Sequence, residues 1–387
     1  MKLLVLTNLF PPHAVGGYEA ACEDFVRSFH ADDVSVLTTS YGLQQPDERD
    51  GVLRVLPNVF GTWPSGPLHL PRGFRRFFMR ETFRITRYWI RRIRPDLCYI
   101  WNLGHLSLGP LYAARASRLP VVYHLEDHWL PDTVYHPNRM IQASKRWLGA
   151  PAIFGGNVGA IFVSAYLRRS YASLDFSFRR SRVVPNGIDL AGYSQKVYSK
   201  PAGAPLRLLF AGRVVPEKGL DVLLAALSLA KANAPGALQL TVAGPGPAQY
   251  VESLQAMAGG QSLPVSWLGR VGRKEMTALY RDHDLLAVPS VWDEPFGLVA
   301  IEAMASGTPV VAADSGGLAE IVAHGTSGLL VPRSNAAALL EALLTFVKQP
   351  ALLEAMGRAA RARAEGHFDL VRSAAEARRF IGDLAGA

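Results

Sequence analysis

The chain has 387 residues, 49% of them hydrophobic, and only two cysteines, Cys22 and Cys98, both in apolar surroundings. That length and apolar content can bury two ordinary cores, and two isolated cysteines argue against a disulfide framework or a zinc site and suit a reducing cytoplasm. The formal charge of +9 is unevenly placed, with 23 Lys+Arg against 15 Asp+Glu in residues 1–190 and near balance in the rest.

Residues 2–9 form an apolar run that Asn8, Pro11 and Pro12 interrupt after about eight residues, too short for a secretory core or a spanning helix, so it predicts a first β-strand. Gly16, Gly17 and a helical pattern over 18–30 follow, giving strand, phosphate-sized loop, helix. Further β-rich runs at 34–38, 52–56, 97–101, 121–125, 160–164 and 182–184 alternate with helical stretches such as 72–94 and 107–118. This alternation predicts a parallel, doubly wound sheet.

In 72–94, Arg72, Arg76, Arg80, Arg84, Arg87, Arg91 and Arg94 recur at helical spacing on one stripe, with Phe74, Phe77, Phe78, Ile85, Tyr88 and Trp89 expected on the other. Such a helix can lie on an anionic membrane surface or receive an anionic substrate; it can equally pack its aromatics inward and leave the arginines in water. No zinc-finger spacing or RNP-like aromatic motif accompanies the charge, so no nucleic-acid partner is expected.

Residues 191–205, rich in Gly, Ser, Lys and Pro, read as an inter-domain linker, after which the alternation restarts. Strands are expected at 206–211, 238–243, 265–268, 285–288, 310–312 and 328–331, with helices at 219–231, 273–281, 298–305, 317–323 and 335–347, and helical sequence over 352–384. The predicted organisation is a Rossmann-like domain over 1–190, the linker 191–205, and a second Rossmann-like domain over 206–367. A terminal helix, about 368–387, is expected to pack back on the first. Two such domains facing each other would set their strand C-terminal ends across one cleft.

Chemistry concentrates in the second half. The run from Trp292 to Val311 places Glu294 in a Pro/Gly turn and Glu302 eight residues later inside a helix that Gly307 and Pro309 stop. Amides of Phe296, Gly297 and Leu298 would point from that helix start into the same space, a grip suited to a sugar's hydroxyls. Arg213 and Lys218, bracketed by Gly212 and Gly219, lie between a strand and a helix, where two cations and a helix end can take up a diphosphate or instead form surface salt bridges.

Taken in order, Gly212-Arg213, Glu217-Lys218-Gly219, the Val242 to Gly246 run, Pro289-Ser290, Glu294-Pro295-Phe296-Gly297, the Glu302 to Gly307 run and Pro309 to Val311 resemble glycosyltransferase family 4, retaining enzymes of the GT-B fold. The likeness covers nearly all of the C-terminal domain. It covers the N-terminal domain more weakly, through Pro11-Pro12, Gly16-Gly17, Asn102, Asp127 and the run from Pro185 to Asp189.

By this resemblance, Arg213 and Lys218 would hold the donor diphosphate and stabilise the leaving nucleoside diphosphate. Glu302 would accept from the ribose hydroxyls and Glu294 from the sugar. The Phe296, Gly297 and Leu298 amides and Gly246 would add donor contacts, and Val271 would lie against the nucleobase. The Gly16-Gly17 turn would let backbone approach donor phosphate and acceptor. One departure stands out: where the family often has a His at the end of the fourth strand, this sequence has Glu126, within His124-Leu125-Glu126-Asp127-His128-Trp129. Glu126, Asp127 and His128 are therefore candidate catalytic residues. If the strand continued, His124, Glu126 and His128 would share one face, with Asp127 opposite. Trp129 and Trp101 are candidates for acceptor stacking or for core packing.

The expected function is transfer of a hexose or N-acetylhexosamine, with retention, from a UDP- or GDP-type donor to a glycan, lipid-linked or secondary-metabolite acceptor. No cofactor and no metal are expected. Arg76, Arg80, Arg84, Arg87 and Trp129 are candidates for the acceptor or a membrane surface, which suits a cytoplasmic or peripheral inner-face location. Acceptor choice is expected to depend on segments 57–72 and 128–150. A nucleotide-sugar epimerase or phosphorylase of the same fold, or a non-catalytic scaffold in polysaccharide assembly, remain open as alternatives.

Overall fold

The computed structural model describes residues 1–13, 16–29, 33–43, 45–57, 72–104, 106–134, 158–198 and 203–385, with backbone alone at 72–76, 133 and 134. Segments 57–72 and 128–150 therefore lie largely outside the described residues, as does Val15 beside the Gly16-Gly17 turn. The chain divides into two compact units, Met1–Asn186 with Leu370–Ala387, and Gly187–Asp369.

The first unit has strands β1 (Leu3–Thr7), β2 (Val34–Thr39), β3 (Asp47–Arg49), β4 (Val52–Leu56), β5 (Leu97–Asn102), β6 (Val121–Leu125), β7 (Gly159–Phe162) and β8 (Arg180–Val183). They lie in the order β3-β4-β2-β1-β5-β6-β7-β8, all parallel except the short antiparallel edge pair β3 and β4. Every residue of β1, β5 and β6 is buried, as a sheet covered by helices on both faces requires. The strand order reverses between β1 and β5.

The second unit has β9 (Leu206–Ala211), β10 (Leu238–Ala243), β11 (Val265–Gly269), β12 (Leu285–Val288), β13 (Val310–Ala313) and β14 (Gly328–Val331), all parallel, in the order β11-β10-β9-β12-β13-β14. Its order reverses between β9 and β12. Leu208, Phe210, Leu240, Val242, Leu285 and Val311 pack with the helices Leu220–Asn233 and Ala336–Lys348 in one apolar cluster. Asn335 begins the latter helix by accepting from the Ala338 amide at 2.9 Å, a side-chain cap on an otherwise orphan donor.

The helical sequence over 352–384 divides into Ala351–His367 and Leu370–Ala385. The second helix belongs to the first unit: Ala377, Phe380 and Ile381 join the cluster of Leu3, Val5 and Phe25, and Arg378 donates to the Ser28 carbonyl at 2.6 Å. The break at Phe368 and Asp369 is held by Ile188, whose amide donates to the Phe368 carbonyl at 2.9 Å.

Two expectations are corrected. Residues 191–205 are not a free linker, because the described part of them is bound to the second unit. The Lys196 amide donates to the Ser306 carbonyl, Lys196 Nζ to the His283 carbonyl, and Tyr198 Oη to the Gly307 carbonyl. The helix Arg72–Ile93 also does not divide into an arginine stripe and an aromatic stripe. Its buried face carries Thr82, Thr86, Trp89 and Ile90, whereas Phe77 and Tyr88 are 65% and 53% exposed and share the outer face with Arg80, Arg84 and Arg91. Thr82 takes an inward place because its hydroxyl bonds the Phe78 carbonyl and Ser107 Oγ. Among the described residues no single helix is long and apolar enough to cross a membrane.

Candidate functional site

In an open α/β sheet, ligands gather beyond the strand C-terminal ends where the strand order reverses. In the second unit that place lies between the loops leaving β9 and β12. The first loop turns at Gly212, φ 127°, exposes Arg213, buries Val214, and makes a 3-10 turn over Pro216–Lys218 before Gly219 starts the next helix. Gly219 has φ 68°, and a Cβ there would run into the Pro289 carbonyl at the end of β12. The Val291 amide donates to the Glu217 carbonyl at 3.0 Å, so the two loops are joined through their backbones.

Across this seam Lys218 Nζ lies 2.6 Å from Glu294 Oε1 and 5.5 Å from the centre of the Trp292 ring. Ser290 Oγ donates to the same carboxylate oxygen at 2.6 Å. Glu294 is buried at 5% exposure, and its carbonyl accepts from the Gly317 amide at 2.6 Å, which fixes the turn to the loop after β13. That approach needs glycine: a Cβ on Gly316 would meet the Glu294 backbone. Arg213 has no ion pair among the described residues and stands exposed beside this cluster in sequence.

Gly297, φ 137°, ends the turn and begins the helix Leu298–Ala305. Amides of Phe296, Gly297 and Leu298 have no backbone acceptor among the described residues, as expected of a helix start. Along this helix Ala300, Ile301, Ala303, Met304 and Ala305 are buried and Glu302 is half-buried. Glu302 Oε2 accepts from Tyr280 Oη at 2.7 Å. Tyr280 is buried in the helix Arg273–Asp282, and desolvation followed by the neighbouring Glu302 carboxylate push its phenol well above the ordinary range, so it stays a donor. Gly246 follows β10 where a Cβ would strike the Val214 carbonyl, and Val271, half-buried, follows β11. Val214 and Gly244 amides donate to the Pro245 and Gly269 carbonyls, which ties the β9, β10 and β11 loops together.

In the first unit, β1 leads through Asn8 to the helix Gly17–Arg27. Gly16 has an extended backbone, φ −134°, rather than the left-handed one that demands glycine, and its amide donates to Glu19 Oε2 at 2.9 Å. After β6 the side chains separate. Glu126 Oε2 accepts from Asn186 Nδ2 at 2.6 Å, and Glu126 Oε1 lies 3.4 Å from His124 Nε2. His124 is stacked on Trp101 at 3.9 Å, with Tyr99 Oη 2.6 Å from its Nδ1. Burial raises the Glu126 carboxyl to about 8 and lowers the His124 imidazole to about 3, which leaves both neutral near pH 7. Asp127 Oδ1 accepts from the Trp129 amide at 2.8 Å, and burial raises that carboxyl to about 6.

His128 does not continue the face of His124 and Glu126. The strand stops at Leu125, and His128 turns to Ser170 Oγ, 2.7 Å away, and stacks on Tyr171. Trp129 and Trp101 are buried side chains, Trp129 against Tyr123 and Trp101 against His124, so neither offers a free stacking face. Arg76 has only its backbone described; Arg80 and Arg84 are exposed, and Arg87 lies over Phe83. Sequence reasoning missed Ser290 and Tyr280 as carboxylate partners. Ser290 stood four residues before Glu294 and was readable; Tyr280 lies on another helix, beyond local spacing. Among the described residues no group of three or more His, Cys, Asp or Glu is placed to hold a metal ion.

Residues 196–363 match the family model described as glycosyl transferases group 1, and residues 15–191 match that described as glycosyltransferase family 4. A glycogen synthase of Mycobacterium tuberculosis is 36% identical over 95% of this chain and 91% of its own length. A GDP-mannose-dependent monoacylated alpha-(1-6)-phosphatidylinositol monomannoside mannosyltransferase of Corynebacterium glutamicum is 28% identical over 95% of this chain and 94% of its own. The crystal structure of Anabaena HepE in complex with UDP-glucose superposes with a TM-score of 0.77 at 22% identity, covering 99% of this chain and 100% of that one.

Proposed function

This chain belongs to glycosyltransferase family 4 and is a transferase of the GT-B fold, and we propose from that premise that it moves a hexose or N-acetylhexosamine, with retention, from a nucleoside-diphosphate sugar held by its second unit. The observation that carries the reading is the meeting of Lys218, Glu294 and the Leu298–Ala305 helix start at the place where the second sheet reverses its strand order. The relatives support a donor of this class, since one is named for GDP-mannose and one fold neighbour was crystallised with UDP-glucose.

Arg213 and Lys218 take the diphosphate. An ammonium has three donors, so Lys218 can keep Glu294 and still reach a phosphate oxygen. Glu294 accepts from the sugar hydroxyls, Glu302 from the ribose, and the Phe296, Gly297 and Leu298 amides add donors. Gly246 lets backbone near the phosphates, and Val271 lies by the base. The C1–O bond to the β-phosphate breaks as the acceptor oxygen attacks C1 from the same face, and the acceptor's proton passes to the departing phosphate oxygen. The cations stabilise the charge that grows on that phosphate. This route assigns no metal and no enzymic nucleophile a role. In the first unit Gly16, Gly17 and Asp127 serve the acceptor side, and Glu126 supports them through Asn186.

The acceptor is proposed to be anionic or lipid-linked and met at an anionic inner membrane face. Phe77, Arg80, Arg84, Tyr88 and Arg91 make one exposed line of aromatics and cations, the pairing that interfacial helices use.

Thermal unfolding with UDP, GDP, dTDP and ADP and their sugar conjugates tests the donor reading, because a ligand that binds only the folded state raises the melting temperature with ln(1 + [L]/Kd). One nucleotide should stabilise the wild type and fail to stabilise Lys218→Ala and Glu302→Ala. No shift at millimolar concentration with any nucleotide overturns it. The anomeric configuration of the product, read by NMR, tests retention.

A further inference from the structure

Each carboxylate assigned to the donor has one oxygen held by a fully buried hydroxyl. Ser290 Oγ donates to Glu294 Oε1 at 2.6 Å, and Tyr280 Oη donates to Glu302 Oε2 at 2.7 Å. We propose that Ser290 and Tyr280 are positioning residues that set donor selectivity, Ser290 for the sugar and Tyr280 for the ribose. The proposal rests on the roles given above to Glu294 and Glu302.

Neither hydroxyl can meet a ligand directly, since Ser290 is 0% and Tyr280 1% exposed. Their influence passes through the carboxylates. A carboxylate free to turn about its last bond offers lone pairs in many directions and accepts from a misplaced hydroxyl nearly as well as from the right one. A donor fixed on one oxygen holds the plane, so the other lone pairs point one way. Rejection of an analogue is strongest where a site's polar groups cannot adjust to a missing or inverted hydroxyl. Holding the plane therefore acts on preference more than on mean affinity.

The holders are themselves anchored. Tyr280 is buried within the helix Arg273–Asp282, and its carbonyl accepts from Thr308 Oγ1 just beyond the Glu302 helix. Ser290 lies in the β12 loop, whose next residue is bound through backbone to Glu217. The two holders sit on different elements and bond different carboxylates, so their effects should separate.

The test uses the full chain and the near-isosteric variants Tyr280→Phe and Ser290→Ala. Dissociation constants are measured for UDP, GDP and ADP against their 2′-deoxy counterparts, and for the glucose, galactose and mannose conjugates of whichever nucleotide binds. Tyr280→Phe should reduce the ribose preference by about tenfold, the scale of one hydrogen bond to a charged group, and leave the sugar ranking unchanged. Ser290→Ala should flatten the sugar ranking by a smaller factor, because Lys218 still holds Glu294 Oε1, and leave the ribose preference unchanged. An equal loss of affinity for every probe, or unchanged preferences in both variants, overturns the proposal. Glu302→Gln and Glu294→Gln serve as references: if these keep wild-type preferences, the roles given to the carboxylates are what fail.

Discussion

Lys218 Nζ and Glu294 Oε1 are 2.6 Å apart and join the loop leaving β9 to the loop leaving β12. Arg213, five residues before Lys218, stands exposed with no ion pair among the described residues. The two cations thus share a proposed ligand but not a structural duty. Lys218→Ala should destabilise the fold by about 2 kcal/mol, less than a fully buried pair would cost, because it strands a buried carboxylate. Arg213→Ala should stay within about 0.5 kcal/mol of wild type. Both should lose transferase activity, and urea unfolding beside initial rates checks the contrast.

The seam between those loops depends on Gly219. A Cβ there would enter the Pro289 carbonyl at a φ of 68°, whereas at Gly236, φ 76°, a Cβ meets nothing within 4 Å. Gly236→Ala should cost only about 1 kcal/mol, the strain of a left-handed residue. Gly219→Ala should cost clearly more and also weaken nucleotide binding, as chemical denaturation and a nucleotide titration would show.

If Arg213 and Lys218 carry the diphosphate, a chelator should not matter. Initial rates in excess EDTA should match untreated rates. A loss restored by added magnesium or manganese would contradict the route.

Glu126 gives a pH signature. Its folded carboxyl, raised to about 8, holds a proton that an unfolded glutamate has released above about 4.5. The folded state then binds more protons, so stability falls as pH rises through that window. His124, lowered to about 3, acts oppositely below about 6.5, and Asp127, raised to about 6, is mostly ionised by then and is common to both proteins compared. Between pH 6.5 and 8 the wild-type melting temperature should therefore fall more steeply than that of Glu126→Gln, which can still accept from Asn186. Parallel slopes would show that Glu126 is already ionised.

The exposed line on the Arg72–Ile93 helix should bind vesicles. Phe77→Ser with Tyr88→Ser should reduce co-sedimentation with phosphatidylglycerol vesicles, and Arg80→Glu with Arg84→Glu should abolish it. Neutral phosphatidylcholine vesicles should capture little of any form.

Strand positions were readable because parallel strands buried on both faces are unbroken apolar runs, as in residues 97–101 and 285–288. The two-sheet α/β fold followed from their alternation with helices. The placement of Glu294 before a helix and Glu302 within it was readable too, because Pro295, Gly297 and Gly307 mark the boundaries locally. Tertiary facts were not. Thr82 looks polar in a list of helix residues, yet it faces inward because its hydroxyl bonds the preceding turn and Ser107, while Phe77 and Tyr88 lie on the exposed side. His128 left the expected face because β6 ended three residues earlier. Residues 191–205 had a linker's composition, but Lys196 and Tyr198 found carbonyls on the second unit that no sequence pattern announces.

The helix Leu370–Ala385 completes the first unit although 183 residues of the second, Gly187–Asp369, precede it in the chain. On the ribosome the first unit can therefore lay down its sheet early but must wait, with Phe25 and its neighbours uncovered, until the second unit has been made. The order of synthesis is not the order of completion. A chain cut after Asp369 would keep the second unit whole and leave the first unfinished, so proteolytic trimming there should expose apolar surface on the half of the molecule farthest from the cut in sequence.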